Sequence, residues 1–494
     1  MNKQVKVIKH PIYYKQEIEG YNNNPLIQAL PPLGSDRELL QRVLYIPEVP
    51  SNIKDLDTWV RHDYINKISE LYSPPVDEIL CIARVINSMI KDGYKNRNPL
   101  VFTDNNNDFP SCEIGDNNFT DSEYAAIKVI SDYSDDLGPN FIPSPTTFSI
   151  IGPNGIGKAN AVGRVLSLYP QLIFHDELHN NLSSLKQIVY LKIDCPSDCT
   201  IESLVANIFV TLDSILVYTN YAYFYGKKKY NSKVLPMLIK KALQEHNLGL
   251  LVINKMQYLG NSKNPGKFLD DIISLGNIPI AFIGTNEVLK LFENDFERLR
   301  FLGTNGNLTW NRMRLYNNDN SLNRDWVVFL QNLWKCQYVL NPVKLDDNFI
   351  RLFYECTQGI TALVISLFKI VQDMALNNGE MITPALILEA SQRLPVKPIF
   401  DAIKKELSER TATPAIMAQN YQTQEVVSTG LSQQNTYLPQ DEIIKKKSKK
   451  ESKNLDNPKD LRVIYDNALK TKTDIVIAIE QAGYIQNYKD VLTF

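Results

Sequence analysis

The stretch Gly152-Pro153-Asn154-Gly155-Ile156-Gly157-Lys158 limits what this chain can fold into more than any other. It fits the first seven positions of the phosphate-binding loop, G-x-x-x-x-G-K. Thr147 to Gly152 reads as a strand running into the loop, and a helix is expected from about Ala159 to Tyr169. The glycines let the backbone curl so that several N–H groups point at one anion, and the helix adds its positive end. Lys158 is placed to reach the β- and γ-phosphates. The expected cradle is Gly152, Asn154, Gly155, Ile156, Gly157, Lys158, Ala159 and Asn160, and ATP is the ligand such a loop implies.

The surrounding pattern is α/β. Gln187–Asp194, Leu248–Asn254 and Pro279–Thr285 read as further strands, with long helices over roughly 200–218 and 232–246. Near-continuous aliphatic runs suit parallel strands covered on both faces, and alternation with helices predicts a doubly wound sheet. Before this core, residues 1–45 read as an extended arm whose string Asn24–Leu33 holds a short apolar helix bounded by prolines. Residues 54–97 carry helical spacing and 102–121 are loop-like; 325–338 and 345–408 are helical patterns without a strand, which predicts a small C-terminal helical domain. Beyond Arg410 the composition turns to Thr, Gln and Asn, and 445–453 carries six lysines against one acid. The expected division is an arm and helical extension at 1–121, an α/β core at 122–315, a helical lid at 316–408, a linker at 409–459 and a tail at 460–494.

The chain's 494 residues allow two to four domains, and the 44% hydrophobic share is that of a globular protein. Lys plus Arg is 53 and Asp plus Glu is 55, a net charge of −2 that excludes a histone-like polycation but not a local basic stripe. Six cysteines are too sparse for a disulfide scaffold. His175 and His179 lie four apart but lack further ligands, so ordinary imidazoles and thiols, with no metal, is the reading. The polar N-terminus and the lack of a long apolar run predict a cytosolic protein that does not enter a membrane.

Two positions that metal chemistry needs are filled by unsuitable residues. The eighth loop position should be a Ser or Thr that binds Mg²⁺, and here it is Ala159. A working ATPase of this type also needs a strand ending in Asp, followed by Glu to polarise water. Leu250–Ile253 has that strand's character but runs into Asn254-Lys255. Asn254 lacks the charge a dication wants, and a charged Lys255 takes no proton from water. Hydrolysis at a normal rate and Mg²⁺ binding are therefore not expected, whereas the backbone cradle and Lys158 remain. Lys255 can bring some of the positive charge that Mg²⁺ would have supplied. A slow ATPase using Asp194 or Glu287 is the rival reading.

Beyond these motifs, strings along most of the chain resemble TnsC, the AAA+ regulator of transposons that use TnsA, TnsB, TnsC and TnsD, and more distantly the TniB group. They include Asn24–Leu33, Ser167–His175, Val189–Cys195, Leu250–Ile253, Ile283-Gly284-Thr285, Trp310, Leu333-Trp334, Gln358-Gly359-Ile360 and Asp460–Tyr465. The resemblance implies an AAA+ P-loop NTPase fold with a parallel sheet core and a helical lid. It implies ATP bound between subunits, rings or filaments on double-stranded DNA, and a link between TnsD-like target selectors and TnsA- and TnsB-like proteins. An active TnsC paralogue is a further implied partner, this chain then serving as a scaffold, and the setting is the bacterial cytoplasm on DNA. In the same terms Asn254 and Lys255 stand at the family's metal and base positions. Thr285 and Asn286 stand at its sensor. Arg300 stands at one of its pair of trans-acting arginines, with Phe301 at the other position and Arg298 nearby as a substitute, which weakens the case for hydrolysis between subunits. His175 and Cys195 become fold residues.

Tyr221, Tyr223, Phe224, Tyr225, Lys227, Lys228, Lys229 and Tyr230 form an aromatic-basic cluster. Such a cluster is either a solvated turn or a phosphate-facing patch, and the family's DNA-encircling habit favours the second. Lys263 and Lys267 are weaker DNA candidates, and 460–494 is the expected contact for TnsA.

Overall fold

The computed structural model describes residues 5–95, 97–100, 146–175, 185–216, 219–227, 230–232 and 234–393. The expected linker and tail, the lysine run, Lys228, Lys229 and His179 lie outside these residues. Among the described residues there are eight strands: β1 (Val7–Ile8), β2 (Thr147–Ile151), β3 (Leu172–His175), β4 (Leu185–Ile188), β5 (Tyr190–Asp194), β6 (Leu250–Asn254), β7 (Ile280–Gly284) and β8 (Asn307–Thr309).

Five of them form one sheet in the order β5-β6-β7-β2-β8, with every neighbouring pair parallel. β2 and β7 are buried at every position and β6 at all but Asn254. Alternate side chains supply two cores. Leu251, Ile253 and Phe282 meet the helices Ile201–Leu216, Leu235–Glu245 and Pro265–Ile273 on one face. Phe148, Ile150, Leu250, Val252 and Ile283 meet the helices Val76–Lys95 and Lys158–Leu166 on the other. Each fully buried aliphatic side chain contributes roughly 1.5–3 kcal/mol. Thr147 and Ser149 are polar yet fully buried; their hydroxyls donate to the backbone carbonyls of Phe301 and Leu302, which removes the cost of burial.

The run 187–194 reads as one strand in sequence but splits at Val189. β4 pairs antiparallel with β3 in a small second sheet, while β5 joins the main one. Val189 N–H donates to the Gln171 carbonyl between the two, so the backbone changes partners without leaving a buried group unpaired. β1 completes the small sheet beside β3. The N-terminal string forms a one-turn helix, Pro25–Gln28, capped by the Asn24 side chain. Leu26, Ile27, Ala29 and Leu30 are buried in the second core, so this segment is structural.

Residues 54–97 are helical with a break at Pro74-Pro75, giving Thr58–Lys67 and Val76–Lys95. The helices Arg324–Trp334, Asp347–Thr357, Thr361–Asn377 and Pro384–Ser391 pack a third core around Trp326, Phe353, Leu367 and Phe368. Ile65 and Ile68 join that core, and Arg61 binds Glu380 through both terminal guanidinium nitrogens at 2.7 Å. No single helix among the described residues is long and apolar enough to cross a membrane.

Candidate nucleotide site

Because the five strands are parallel, β2, β5, β6 and β7 end on the same edge, where ligands bind in open α/β sheets. β2 enters the phosphate loop past Trp310, and a Cβ on Gly152 would sit 1.9 Å from the Trp310 carbonyl oxygen. Gly157 turns the chain at φ 97° and the helix Lys158–Leu166 begins at the next residue. No side chain caps that helix, so its first-turn N–H groups are open to an anion. The Gly155 carbonyl accepts hydrogen bonds of 3.0 Å from Ala362 N–H and the Thr361 hydroxyl, which tie the loop to the first turn of Thr361–Asn377.

Lys158 is buried and its Nζ donates to the carbonyls of Gly152 at 2.7 Å and Pro153 at 2.5 Å. Burial pulls its pKa down to about 8, opposed by the Glu287 carboxylate. Lys192 Nζ donates to the Ala159 carbonyl at 2.9 Å.

β5 and β6 end level, with Asp194 opposite Asn254. Asn254 Nδ2 donates to Asp194 Oδ1 at 2.8 Å, and Lys255 Nζ meets Asp194 Oδ2 at 2.8 Å. Burial raises the Asp194 pKa, but these two donors outweigh it and hold the carboxyl below its usual range. The same contact raises the Lys255 pKa and keeps the ammonium charged. Lys255 adopts the left-handed conformation, φ 60° and ψ 38°, uncommon for a residue with a Cβ. The strand end is thus a clamp in which one carboxylate faces an amide and an ammonium.

A cavity of about 260 Å³ joins the loop to this clamp. Of the residues expected from sequence, Asn154, Gly155, Gly157, Lys158, Ala159, Asn160, Asn254 and Lys255 line it. Gly152, Ile156, Thr285 and Asn286 do not; Gly152 and Ile156 support the loop from behind, and Thr285 starts the helix Asn286–Leu291 with its hydroxyl donated to Glu287. Gln257 completes the wall without a sequence signal to mark it, and Ile283 and Gly284, at the end of the expected fourth strand, join it. The lining carries two ammonium groups and no carboxylate.

The residues fit a phosphate chain: curled glycines, an uncapped helix start and Lys158 converge on one cavity. They do not fit Mg²⁺, which takes oxygen ligands and usually one or two carboxylates. Ala159 presents a methyl group, Asn254 one neutral oxygen, and Lys255 a cation. Asp194, at the end of β5, has both oxygens engaged.

The other expected site residues lie apart. Arg300 is exposed, and its guanidinium has no hydrogen-bond or ion-pair partner among the described residues, whereas Arg298 is held by Asp270 and Asp295. Lys263 and Lys267 are exposed after β6. Lys227 ends the helix Tyr221–Lys227 and lies 4.1 Å from the Tyr223 ring centroid. That helix keeps Tyr221 and Tyr225 against Phe209 and leaves Tyr223 and Phe224 exposed. His175 is fully buried, hydrogen-bonded to Tyr13 at 2.9 Å and Gln187 at 2.8 Å. Cys195 and Cys199 are buried thiols, 3.8 Å apart.

A family model described as an AAA domain matches residues 144–292, which contain the loop, β6 and β7. A search of curated proteins returns no match. Among solved structures, the ORC2 protein of Aeropyrum pernix in ADPNP–ADP complexes is 12% identical, with a TM-score of 0.35, over 55% of this chain and 67% of that one. The Aeropyrum pernix ORC1 protein in complex with DNA is 14% identical, TM-score 0.34, over 62% and 72%. Drosophila ORC bound to DNA is 11% identical, TM-score 0.32, over 75% and 74%. The match to the AAA domain, the parallel sheet and the phosphate loop together give the chain an AAA+ P-loop NTPase-like fold.

Proposed function

We propose that this chain is a TnsC-like regulator of DNA transposition that binds ATP and double-stranded DNA and links a target-site selector to the transposase, with ATP hydrolysis impaired. The observation that carries the nucleotide half is the juxtaposition of an intact phosphate cradle with the Asp194–Asn254–Lys255 clamp. The cradle supports binding of a polyanion, and Asn254 and Lys255 at the expected metal and base positions support the reading of impaired hydrolysis. The transposition half rests on the strings that resemble TnsC, from Asn24–Leu33 to Asp460–Tyr465.

In this reading nucleotide occupancy supports assembly and turnover plays no part. Arg300, free on the surface, meets the nucleotide of a neighbouring subunit. Lys227, Lys228, Lys229, Lys263 and Lys267 face DNA phosphates, which hold the duplex without reading its sequence. The segment from Asp460 to the end engages a TnsA-like partner, with TnsB- and TnsD-like proteins and an active paralogue as further members of the assembly.

The test is assembly on duplex DNA, followed by fluorescence anisotropy and light scattering with and without ATP. ATP-promoted association of many copies per duplex is the expected result. Failure to bind duplex DNA at low salt in either condition refutes the reading. Deletion of 460–494 is expected to abolish capture of a TnsA-like protein while leaving DNA binding intact.

A further inference from the structure

The charge on the cavity wall is unusual for a site that would take a metal–nucleotide complex. Lys158 and Lys255 are its ionic residues, and no carboxylate lines it. A magnesium complex of ATP carries about two negative charges, whereas the free nucleotide carries about four at pH above ~7. Asp194 beside Lys255 and Glu287 near Lys158 offset part of this charge, but the groups that face the cavity are the two ammoniums, which complement the free tetra-anion better than its complex. The clamp sharpens this preference. Asp194 takes a hydrogen bond from Asn254 on one oxygen and from Lys255 on the other, both at 2.8 Å, so it orients the ammonium at the cavity rim. Lys255 is also fixed by its backbone, in the left-handed turn directly after β6.

We infer that this cavity is a metal-free polyphosphate site, in which Lys255, positioned by Asp194, stands in for the divalent cation and selects the uncomplexed triphosphate. The inference rests on the reading of the cavity as a nucleotide site and adds the form of nucleotide it takes. No bond is made or broken: the site binds, and Lys255 acts by charge.

The experiment is calorimetric titration of the full chain with ATP, once in EDTA and once in excess Mg²⁺. Binding in EDTA is expected to be at least as tight as in Mg²⁺, and inorganic tripolyphosphate is expected to compete for the site in EDTA. Lys255→Asn removes the charge while keeping a residue that tolerates the left-handed turn. It is expected to weaken ATP binding in EDTA by about tenfold, the scale of one hydrogen bond to a charged group. Lys255→Arg is expected to retain affinity. Asp194→Asn removes the negative charge beside the rim while keeping an oxygen that accepts from Lys255, and is expected to tighten binding in EDTA, so the two positions test the idea in opposite directions. Thermal melts establish that each variant folds. Binding that requires Mg²⁺, or a Lys255→Asn variant with unchanged affinity in EDTA, overturns the inference and leaves the nucleotide reading standing. No binding in either condition, with Lys158→Ala no different from the parent chain, overturns the nucleotide reading itself.

Discussion

Raising the pH from 7 to 9 tests whether Lys158 is the cation that receives phosphate. Its pKa is pulled to about 8 because the ammonium is buried beneath the loop, where two carbonyls only partly replace water, and the Glu287 carboxylate offsets part of that cost. With that value about nine-tenths of the chains carry a charged Lys158 at pH 7 and about one-tenth at pH 9. A polyanion binds the charged form, so affinity is full below pH 8 and is lost as pH rises through it. The predicted fall in affinity is about tenfold across the window, approaching one decade per pH unit at its upper end. The other charged groups at this edge do not share the transition. Asp194 holds Lys255 charged, and Asp194 is itself held below the usual carboxylate range. A terminal phosphate, with its second pKa near ~6, is almost fully ionised throughout. Titration in EDTA at pH 7, 8 and 9, in buffers of different ionisation enthalpy, reads affinity and proton uptake together. Uptake is expected to grow from near zero to almost one proton per nucleotide. Lys158→Arg, which stays charged, is expected to bind with a flat profile. A flat profile in the parent chain, or the same fall in Lys158→Arg, refutes the reasoning.

Other consequences follow from groups outside the cavity. His246 is buried against Tyr221, whose hydroxyl lies 2.7 Å from its Nε2, and burial assisted by Lys186 drives its pKa down to about 4. Because the unfolded imidazole takes a proton near pH ~6.5, stability is full above that pH and is lost as pH falls towards 4; urea unfolding is expected to lose about 2 kcal/mol between pH 7 and 5 from this group, and His246→Asn to lose that share of the dependence. Glu380→Ala leaves the buried Arg61 guanidinium without its 2.7 Å partner and is expected to cost about 3 kcal/mol in equilibrium unfolding, the price of an uncompensated buried charge. Replacing Lys227, Lys228 and Lys229 together by Gln is expected to reduce the slope of log affinity against log salt for duplex DNA by about 2–3, with no change in ATP binding.

The parts of the fold that read clearly in the sequence are those whose residues answer to one environment. β6 and β7 are aliphatic on both faces because helices cover both, and Gly152–Lys158 has a spacing that few other structures require. The split between β4 and β5 is not legible, because Gln187–Asp194 keeps a plausible strand pattern across the change of partner at Val189. The two-residue strand β1 and the three-residue strand β8 are defined by their partners more than by their own side chains. The site shows the same division. Ala159, Asn254 and Lys255 stand out in the sequence as departures at the expected metal and base positions. That Asp194 occupies Asn254 and Lys255 at once depends on the register of two strands 60 positions apart, which neither segment encodes locally. Gln257 and Gly284 enter the cavity wall for the same reason.

The central claim, a phosphate site that binds without metal chemistry, is tested most directly by measuring ATP binding and ATP turnover on one preparation, with Lys158→Ala beside it. Saturable binding that Lys158→Ala removes, together with phosphate release in Mg²⁺ no faster than that variant's background, is the predicted result. Lys158-dependent, Mg²⁺-dependent turnover would contradict it.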